Sequence, residues 1–237
     1  MNSSRLSQLN GQFASAATAA GRKPTENIWE TMNYDKYLRP KVAEKRKATA
    51  KVMEEARAQL LDCVDTAEMP HFLIPKLQEL EIDGGVIDIK YGGPGFSNLG
   101  FGAILFEIAK VDASVATFVA VHNAIGMNVV ATLGDEDQKQ RMLTDSIGFR
   151  KIHCFGLTEP ENGSDASNLR TTATKTEGGW ILNGQKRWIG NATFADYIHV
   201  WARNPAEDDK VQCFVVTKGS EGLKTSKIER KYSLRMV

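Results

Sequence analysis

The sequence predicts an α+β fold, in which an all-α helical region is followed by an antiparallel β region. Up to about residue 150, apolar side chains recur near every 3.6 residues, which is the period of a helix. From about Lys151, short segments rich in Thr, Val, Ile and aromatic residues replace this pattern. A helical block before a strand block favours two domains over alternating βαβ units. We expect an N-terminal extension over 1–33, a helical domain over 34–150 and a sheet domain over 151–237.

Five helices are expected in the first block, each with a local start or stop signal. Pro40 suits only a first turn, Asn98 and Asp112 can act as N-caps, and Asp135 with Gln138 forms a capping box. The predicted limits are 39–64, 70–80, from 98 onward, 112–134 with a terminal glycine, and from 135 onward.

Five strands are expected in the second block, over 171–176, 180–182, 185–189, 197–203 and 212–217. Gly178-Gly179 and Asn183-Gly184 each separate two of these segments by residues typical of tight turns. We therefore predict a hairpin at each position.

Composition excludes several classes of protein. Lys and Arg number 30 against 29 Asp and Glu, so the net charge of +1 favours neither a nucleic acid nor a membrane surface as partner. We expect no transmembrane segment, on the view that charges interrupt every apolar run before about 18 residues. Three distant cysteines fit a reducing compartment better than a disulfide framework. The four histidines lack ligand spacing, so no metal site is predicted, and His122 is expected to be a hydrogen-bonded core residue.

The first 25 residues resemble a mitochondrial presequence, because they contain Arg5, Arg22 and Lys23, several Ser and Ala, and no acid. A plain flexible tail explains the same composition. Arg5-Leu6 followed by Gln12 also resembles an N-terminal peroxisomal signal, from which Phe13 departs. We therefore expect a mitochondrial protein, with a peroxisomal location as the alternative.

Two segments of the second block could carry chemistry. Residues 155–165 run from a strand into a polar turn, where backbone amides near Gly163 could line an anion such as a pyrophosphate. In the segment 186–191, Trp188 at a strand end could stack on a flat cofactor. A structural turn and an ordinary core tryptophan are the alternatives. No GxGxxG follows a strand, and neither a P-loop nor a GxSxG elbow is present.

These segments resemble the signatures of the acyl-CoA dehydrogenase and acyl-CoA oxidase flavoprotein family. The first is Leu157-Thr-Glu-Pro160 followed by Gly163-Ser-Asp165, and the second is Trp180 with Asn183-Gly-x-Lys186-x-Trp-Ile189. Gln185-Lys-Arg-Trp-Ile-Gly-Asn191 is most similar to the plant short-chain acyl-CoA oxidases, whereas Tyr232-Ser-Leu-Arg235 is similar to glutaryl-CoA dehydrogenase.

The resemblance implies a helical domain, a middle β domain and a C-terminal four-helix bundle, with FAD between the last two. A bundle Glu would remove the α-proton of an acyl-CoA while a hydride passes to the flavin. The implied cofactor and substrate residues are Phe155, Leu157 and Thr158 beside the isoalloxazine, Ser164 near the pyrophosphate and the CoA entry, Trp188 and Ile189 over the flavin, Gly190 where many dehydrogenases have Thr or Ser, and Arg235 toward substrate.

Two departures from the family pattern bear on function. Ala116 stands where glutaryl-CoA dehydrogenase has an Arg, so a glutaryl substrate is not expected. The sequence also stops at Val237, before the expected bundle, so it contains no candidate for the catalytic Glu. We expect a protein partner over the exposed face, either a chain with the C-terminal bundle or a large assembly. In the second case the chain would be an inactive structural subunit, and FAD binding could be lost.

Overall fold

The computed structural model describes residues 33–237. Residues 33–43 belong to one compact unit and residues 44–237 form a second. The predicted presequence and the alternative peroxisomal signal lie outside the described residues.

The regular elements up to residue 146 are all helices within the described part of the chain. Short 3₁₀ turns stand at Tyr34–Tyr37, Ile89–Tyr91, Ala166–Asn168 and Pro205–Glu207. Two π-helical segments, Val121–Met127 and Lys139–Leu143, join α-helical pieces into longer runs. The α-helices are α1 Pro40–Thr66, α2 Leu73–Glu79, α3 Asn98–Ala109, α4 Ala113–Ala120, α5 Asn128–Leu133, α6 Glu136–Gln138 and α7 Thr144–Ser146.

Capping side chains begin these helices largely as predicted. The Asp112 carboxylate accepts a hydrogen bond from the third residue of α4, and Asp135 with Gln138 forms the predicted capping box. The cap of α3 is one residue earlier than predicted, because Ser97 is extended and its hydroxyl accepts from the backbone of Gly100. Asn98 is instead the first residue of the helix.

The run Ala113–Leu133 is 21 residues long and is the one described helix apolar enough, by length and composition, to cross a membrane. It carries no charged side chain, so the expectation that charge interrupts every apolar run was wrong here. A core helix passes the same test, and this one contains the buried polar side chains of His122 and Asn123. Asn123 donates to the carbonyl of Val119 and accepts from the backbone N–H of Gly84.

Five strands form one sheet: β1 His153–Gly156, β2 Thr172–Thr176, β3 Gly179–Asn183, β4 Tyr197–Asn204 and β5 Lys210–Thr217. The pairs β2–β3 and β4–β5 are antiparallel, and the Gly178-Gly179 hairpin is confirmed. The pair β1–β4 is parallel, and β2 meets β4 through one parallel pair. The predicted α+β class is confirmed, with mixed rather than wholly antiparallel pairing.

The predicted strand 185–189 and its hairpin at Asn183-Gly184 were wrong. Gly184 lies so close to Thr171, the residue before β2, that a Cβ there would be 2.4 Å from Thr171 Oγ1. The chain therefore leaves the sheet after Gly184. The backbone N–H of Arg187 then donates to the carbonyl of Thr158 instead of to a neighbouring strand.

Candidate functional site

The first predicted segment leaves the sheet at the end of β1. Phe155 lies in this strand, and its ring centroid is 5.8 Å from that of Trp201 on β4. Leu157 and Thr158 follow β1 as a half-buried turn, and the Glu159 side chain points back into the protein. Both backbone carbonyls of the turn accept hydrogen bonds from the second predicted segment.

The second segment is a tight turn with two left-handed residues. Trp188 has φ of 63° and is 59% exposed, with the guanidinium of Arg187 4.8 Å from its ring centroid. Asn191 has φ of 69° and is buried, and its amide donates to the carbonyls of Phe118 and His153 at 3.2 Å each. Asn191 thereby ties the turn to helix α4 and to strand β1. A non-glycine residue adopts positive φ only when its surroundings hold it there.

A large open cavity of about 2690 Å³ lies beside this turn. Trp188, Ile189 and Gly190 line it together with helical residues that include Thr117 and Val121. A Cβ at Gly190 would meet the Val121 side chain at 3.6 Å, an ordinary contact, so glycine is not required there by space. An exposed indole at the wall of a wide cavity can stack on a flat ring, so the residues present fit a flavin.

The remaining predicted site residues lie elsewhere. Ser164 is exposed in the loop after Pro160. Arg235 donates to the carbonyls of Val64 and Asp65, at the C-terminal end of α1, where a cation also complements the helix dipole. Among the described residues that line the cavity, neither of them is found, and Phe155, Leu157 and Thr158 are also absent.

Sequence reasoning missed a buried ion pair between the two segments. Glu159 accepts from Lys186 Nζ at 2.8 Å and from Thr171 Oγ1 at 2.6 Å. Burial opposes ionisation of Glu159, but hydrogen bonds from Lys186, Thr171 and Arg170 lower its pKa to about 2. The sequence signal that could have indicated this pair is the presence of one charged residue in each family signature, Glu159 in the first and Lys186 in the second.

Three buried histidines adjoin the site where the helices meet the sheet. The His122 ring accepts from the backbone N–H of His153, which confirms His122 as a hydrogen-bonded core residue, and lies 3.0 Å from Asp83. His153 contacts Ser146 Oγ at 2.7 Å and His199 Nε2 at 2.8 Å. Burial, with smaller effects of the two other histidines, lowers the pKa of His153 well below its usual value.

Comparison with known proteins identifies the family. Residues 39–148 match the model described as acyl-CoA dehydrogenase, N-terminal domain, and residues 154–237 match acyl-CoA dehydrogenase, middle domain. The chain belongs to the acyl-CoA dehydrogenase family. It is 33% identical over 171 residues to an acyl-CoA dehydrogenase of Bacillus subtilis (strain 168), a match that covers 71% of this chain and 45% of that protein.

Two further acyl-CoA dehydrogenases extend this match. A mitochondrial short/branched chain specific enzyme of Rattus norvegicus is 32% identical over 193 residues, or 80% of this chain and 44% of that protein. The structure of a glutaryl-CoA dehydrogenase from Mycobacterium smegmatis in complex with FADH2 superposes with a TM-score of 0.81 at 29% identity, covering 90% of this chain and 54% of the other. The chain thus spans about half the length of the family members it matches.

Proposed function

We propose that this chain forms the helical and sheet walls of a flavin-dependent dehydrogenase that introduces an α,β double bond into an acyl-CoA thioester. FAD is the proposed cofactor, as it is the cofactor of the family. The observation that carries the proposal is the exposed, left-handed Trp188 in the wall of a cavity large enough for a flavin. The family membership of both domains supports the same reaction class.

Each residue of the predicted site has a proposed part in holding the cofactor or the substrate. Trp188 and Ile189 cover one face of the ring system, and Gly190 leaves room beside them. Phe155, Leu157 and Thr158 border the ring from the first segment, Ser164 lies toward the pyrophosphate and the CoA entry, and Arg235 lies toward the substrate. When bound, FAD supplies the acceptor for the substrate hydride.

The proton step needs a base, and the family resemblance places it on the C-terminal bundle rather than in this wall, where Glu221 and Glu229 are the carboxylates that line the cavity. Glu159 is the buried carboxylate beside the site, but its pKa near 2 and its ion pair with Lys186 make it a poor acceptor of an α-proton. We therefore assign the base to a carboxylate on a helical bundle outside residues 33–237. Ala116 carries no charge for a distal carboxylate, so we propose a substrate acyl group other than glutaryl.

Titration of the purified chain with FAD tests the cofactor assignment, with binding monitored by the quenching of flavin fluorescence. We expect saturable binding that Trp188→Ala weakens at least tenfold. Tyr37→Ala is the matched control, because Tyr37 is also an exposed aromatic residue but is not among the residues that line the cavity. Absence of binding, or binding that Trp188→Ala leaves intact, would favour the inactive structural subunit instead.

Turnover tests the assignment of the base. With FAD, butyryl-CoA and an artificial electron acceptor, we expect no oxidation by the 237-residue chain alone. Oxidation at an enzymatic rate by this chain would place the base within it and contradict the assignment.

We further propose a mitochondrial location, with the peroxisome as the alternative. The composition of the first 25 residues supports it, and the related rat enzyme is mitochondrial. Microscopy of the chain with a fluorescent protein at its C-terminus tests this, and deletion of residues 2–25 should abolish organelle import.

A further inference from the structure

Glu159 collects four hydrogen bonds although its side chain is almost fully buried. Its Oε1 accepts from the backbone N–H of Thr171 at 2.9 Å, from Thr171 Oγ1 and from Lys186 Nζ, and its Oε2 accepts from the backbone N–H of Arg170. Residue Glu159 is 4% exposed. Such a carboxylate is fully satisfied, so its position is fixed by the groups around it.

Lys186 is the one partner of Glu159 that comes from the second segment. Its Nζ also donates to the carbonyl of Leu157 at 2.9 Å, so a single ammonium group contacts both ends of the Leu157–Glu159 turn. Close packing of Gly184 on Thr171 brings the start of this segment against the sheet. The backbone N–H of Arg187 donates to the carbonyl of Thr158 at the same junction, directly before Trp188.

A buried ion pair contributes little net stability, because desolvation offsets most of the attraction. Two well-packed apolar side chains in place of Glu159 and Lys186 would stabilise this junction to a similar extent. What the pair adds is a defined geometry, since its hydrogen bonds join three separate stretches of the chain, 157–159, 170–171 and the segment that begins at Lys186. Those stretches include both segments of the proposed flavin site.

We infer that Glu159 and Lys186 are positioning residues that hold the turn after β1 and the turn containing Trp188 in the register that a flavin requires. This inference rests on the proposed function for its ligand, but the junction itself exists without one. Neither side chain is assigned a contact with the cofactor or the reacting atoms. Their effect passes through the backbone of Leu157, Thr158 and Arg187.

Hydrogen exchange of the full chain, measured by mass spectrometry without flavin, tests the positioning. In Glu159→Gln and in Lys186→Met, peptides over 155–159 and 185–190 should exchange at least tenfold faster than in the wild type. Peptides of α3 should change less than twofold. Lys175→Met is the matched control, since it removes an exposed lysine from β2 of the same sheet. Lys186→Met retains the other three donors to Glu159, so it remains informative if Glu159→Gln does not fold.

FAD titration of the same proteins supplies the second readout. Both variants should weaken binding at least tenfold, and Lys186→Arg, which keeps the charge and can bond both acceptors, should stay within threefold of the wild type. Unchanged local exchange, equal acceleration throughout the chain, or unaltered affinity for FAD would overturn the inference. If the wild type binds no FAD, the proposed function fails, and the local exchange alone decides whether the pair positions the two turns.

Discussion

Three fully buried histidine side chains lie side by side at the joint of helices and sheet. The Ser146 hydroxyl donates to the carbonyl of Met142, so its oxygen accepts from His153 Nε2. His153 Nδ1 is then the acceptor for the N–H at His199 Nε2. We assign neutral rings to His153 and His199, because each hydrogen bond between Ser146, His153 and His199 uses one proton and one lone pair.

Neutral buried histidines make the stability of the fold depend on pH. Burial lowers the pKa of His199 to about 4 and that of His153 well below its usual value. Unfolded histidines bind protons below about pH 6.5. Between about pH 6.5 and pH 4 the unfolded chain therefore binds more protons than the folded chain, so the free energy of unfolding falls as the pH falls.

We predict that the free energy of unfolding in urea decreases by about 2–4 kcal/mol between pH 7 and pH 5, because each such histidine contributes about 1.4 kcal/mol per pH unit. His199→Gln should remove about half of this loss, since its amide can still donate to His153. His71→Gln, which changes an exposed ring, should keep the wild-type dependence. A stability that is flat over this range would contradict the assignment of neutral rings.

At the level of elements, the π-helical segment Val121–Met127 lets the helix pass close to β1. A Cβ on Gly126 would lie 2.4 Å from the Cβ of His153. Wider winding within a helix often marks a place where a neighbouring group must fit. Here that neighbour is the first residue of the strand that leads into the candidate site.

Gly126→Ala should therefore destabilise the protein by about 1–3 kcal/mol, because the added methyl group forces the helix and the strand apart. Gly102→Ala in α3 is the matched control. A Cβ there would meet no described atom within 4 Å, and alanine favours a helix over glycine by about 1 kcal/mol. Chemical denaturation of both variants gives the comparison, and equal effects of the two substitutions would show that the close approach is not rigid.

These elements also show how far sequence can predict this fold. The Asp112 cap, the box at Asp135 and the Gly178-Gly179 hairpin depend on neighbours within a few residues, and all were predicted. The chain path after Gly184 depends on Thr171, 13 positions earlier, and the Glu159–Lys186 pair on residues 27 apart. Local patterns carry no information on such contacts, so the strand at 185–189 was wrong and the pair was missed.

The candidate site divides in the same way. Trp188, Ile189 and Gly190 are consecutive, so a motif is enough to place them together at the cavity. Ser164 and Arg235 were assigned only by resemblance, and their roles stay predictions. Arg235 donates to Val64 and Asp65 at the end of α1. These partners precede it in the sequence by 171 and 170 positions, so no local pattern could indicate the contacts.

At the scale of the whole molecule, one side of residues 44–237 carries several exposed apolar side chains. Leu133, Ile181 and Trp188 line the cavity and are each about 60% exposed. Within the described residues, β3 pairs only with β2 and β5 only with β4, so each strand keeps one open edge. Exposed apolar patches and open strand edges favour association with other protein.

We predict that the purified chain self-associates through this side at micromolar concentration, as measured by sedimentation velocity. Ile181→Lys should shift the distribution toward monomer, because a charge on β3 opposes both apolar contact and edge pairing. Ile89→Lys is the matched control: Ile89 is 72% exposed but lies away from the cavity, so this variant should associate like the wild type.

The same variants distinguish self-association from the proposed helical bundle partner. A polypeptide that carries the bundle should compete with self-association and dissociate the oligomers. Ile181→Lys should weaken the binding of this polypeptide to the chain, whereas Ile89→Lys should leave that binding unchanged. Monomers at all concentrations in the wild type, or equal effects of the two substitutions, would mean that this side of the molecule is not an interface. The cavity wall with Trp188 would then have to bind FAD without protein covering it.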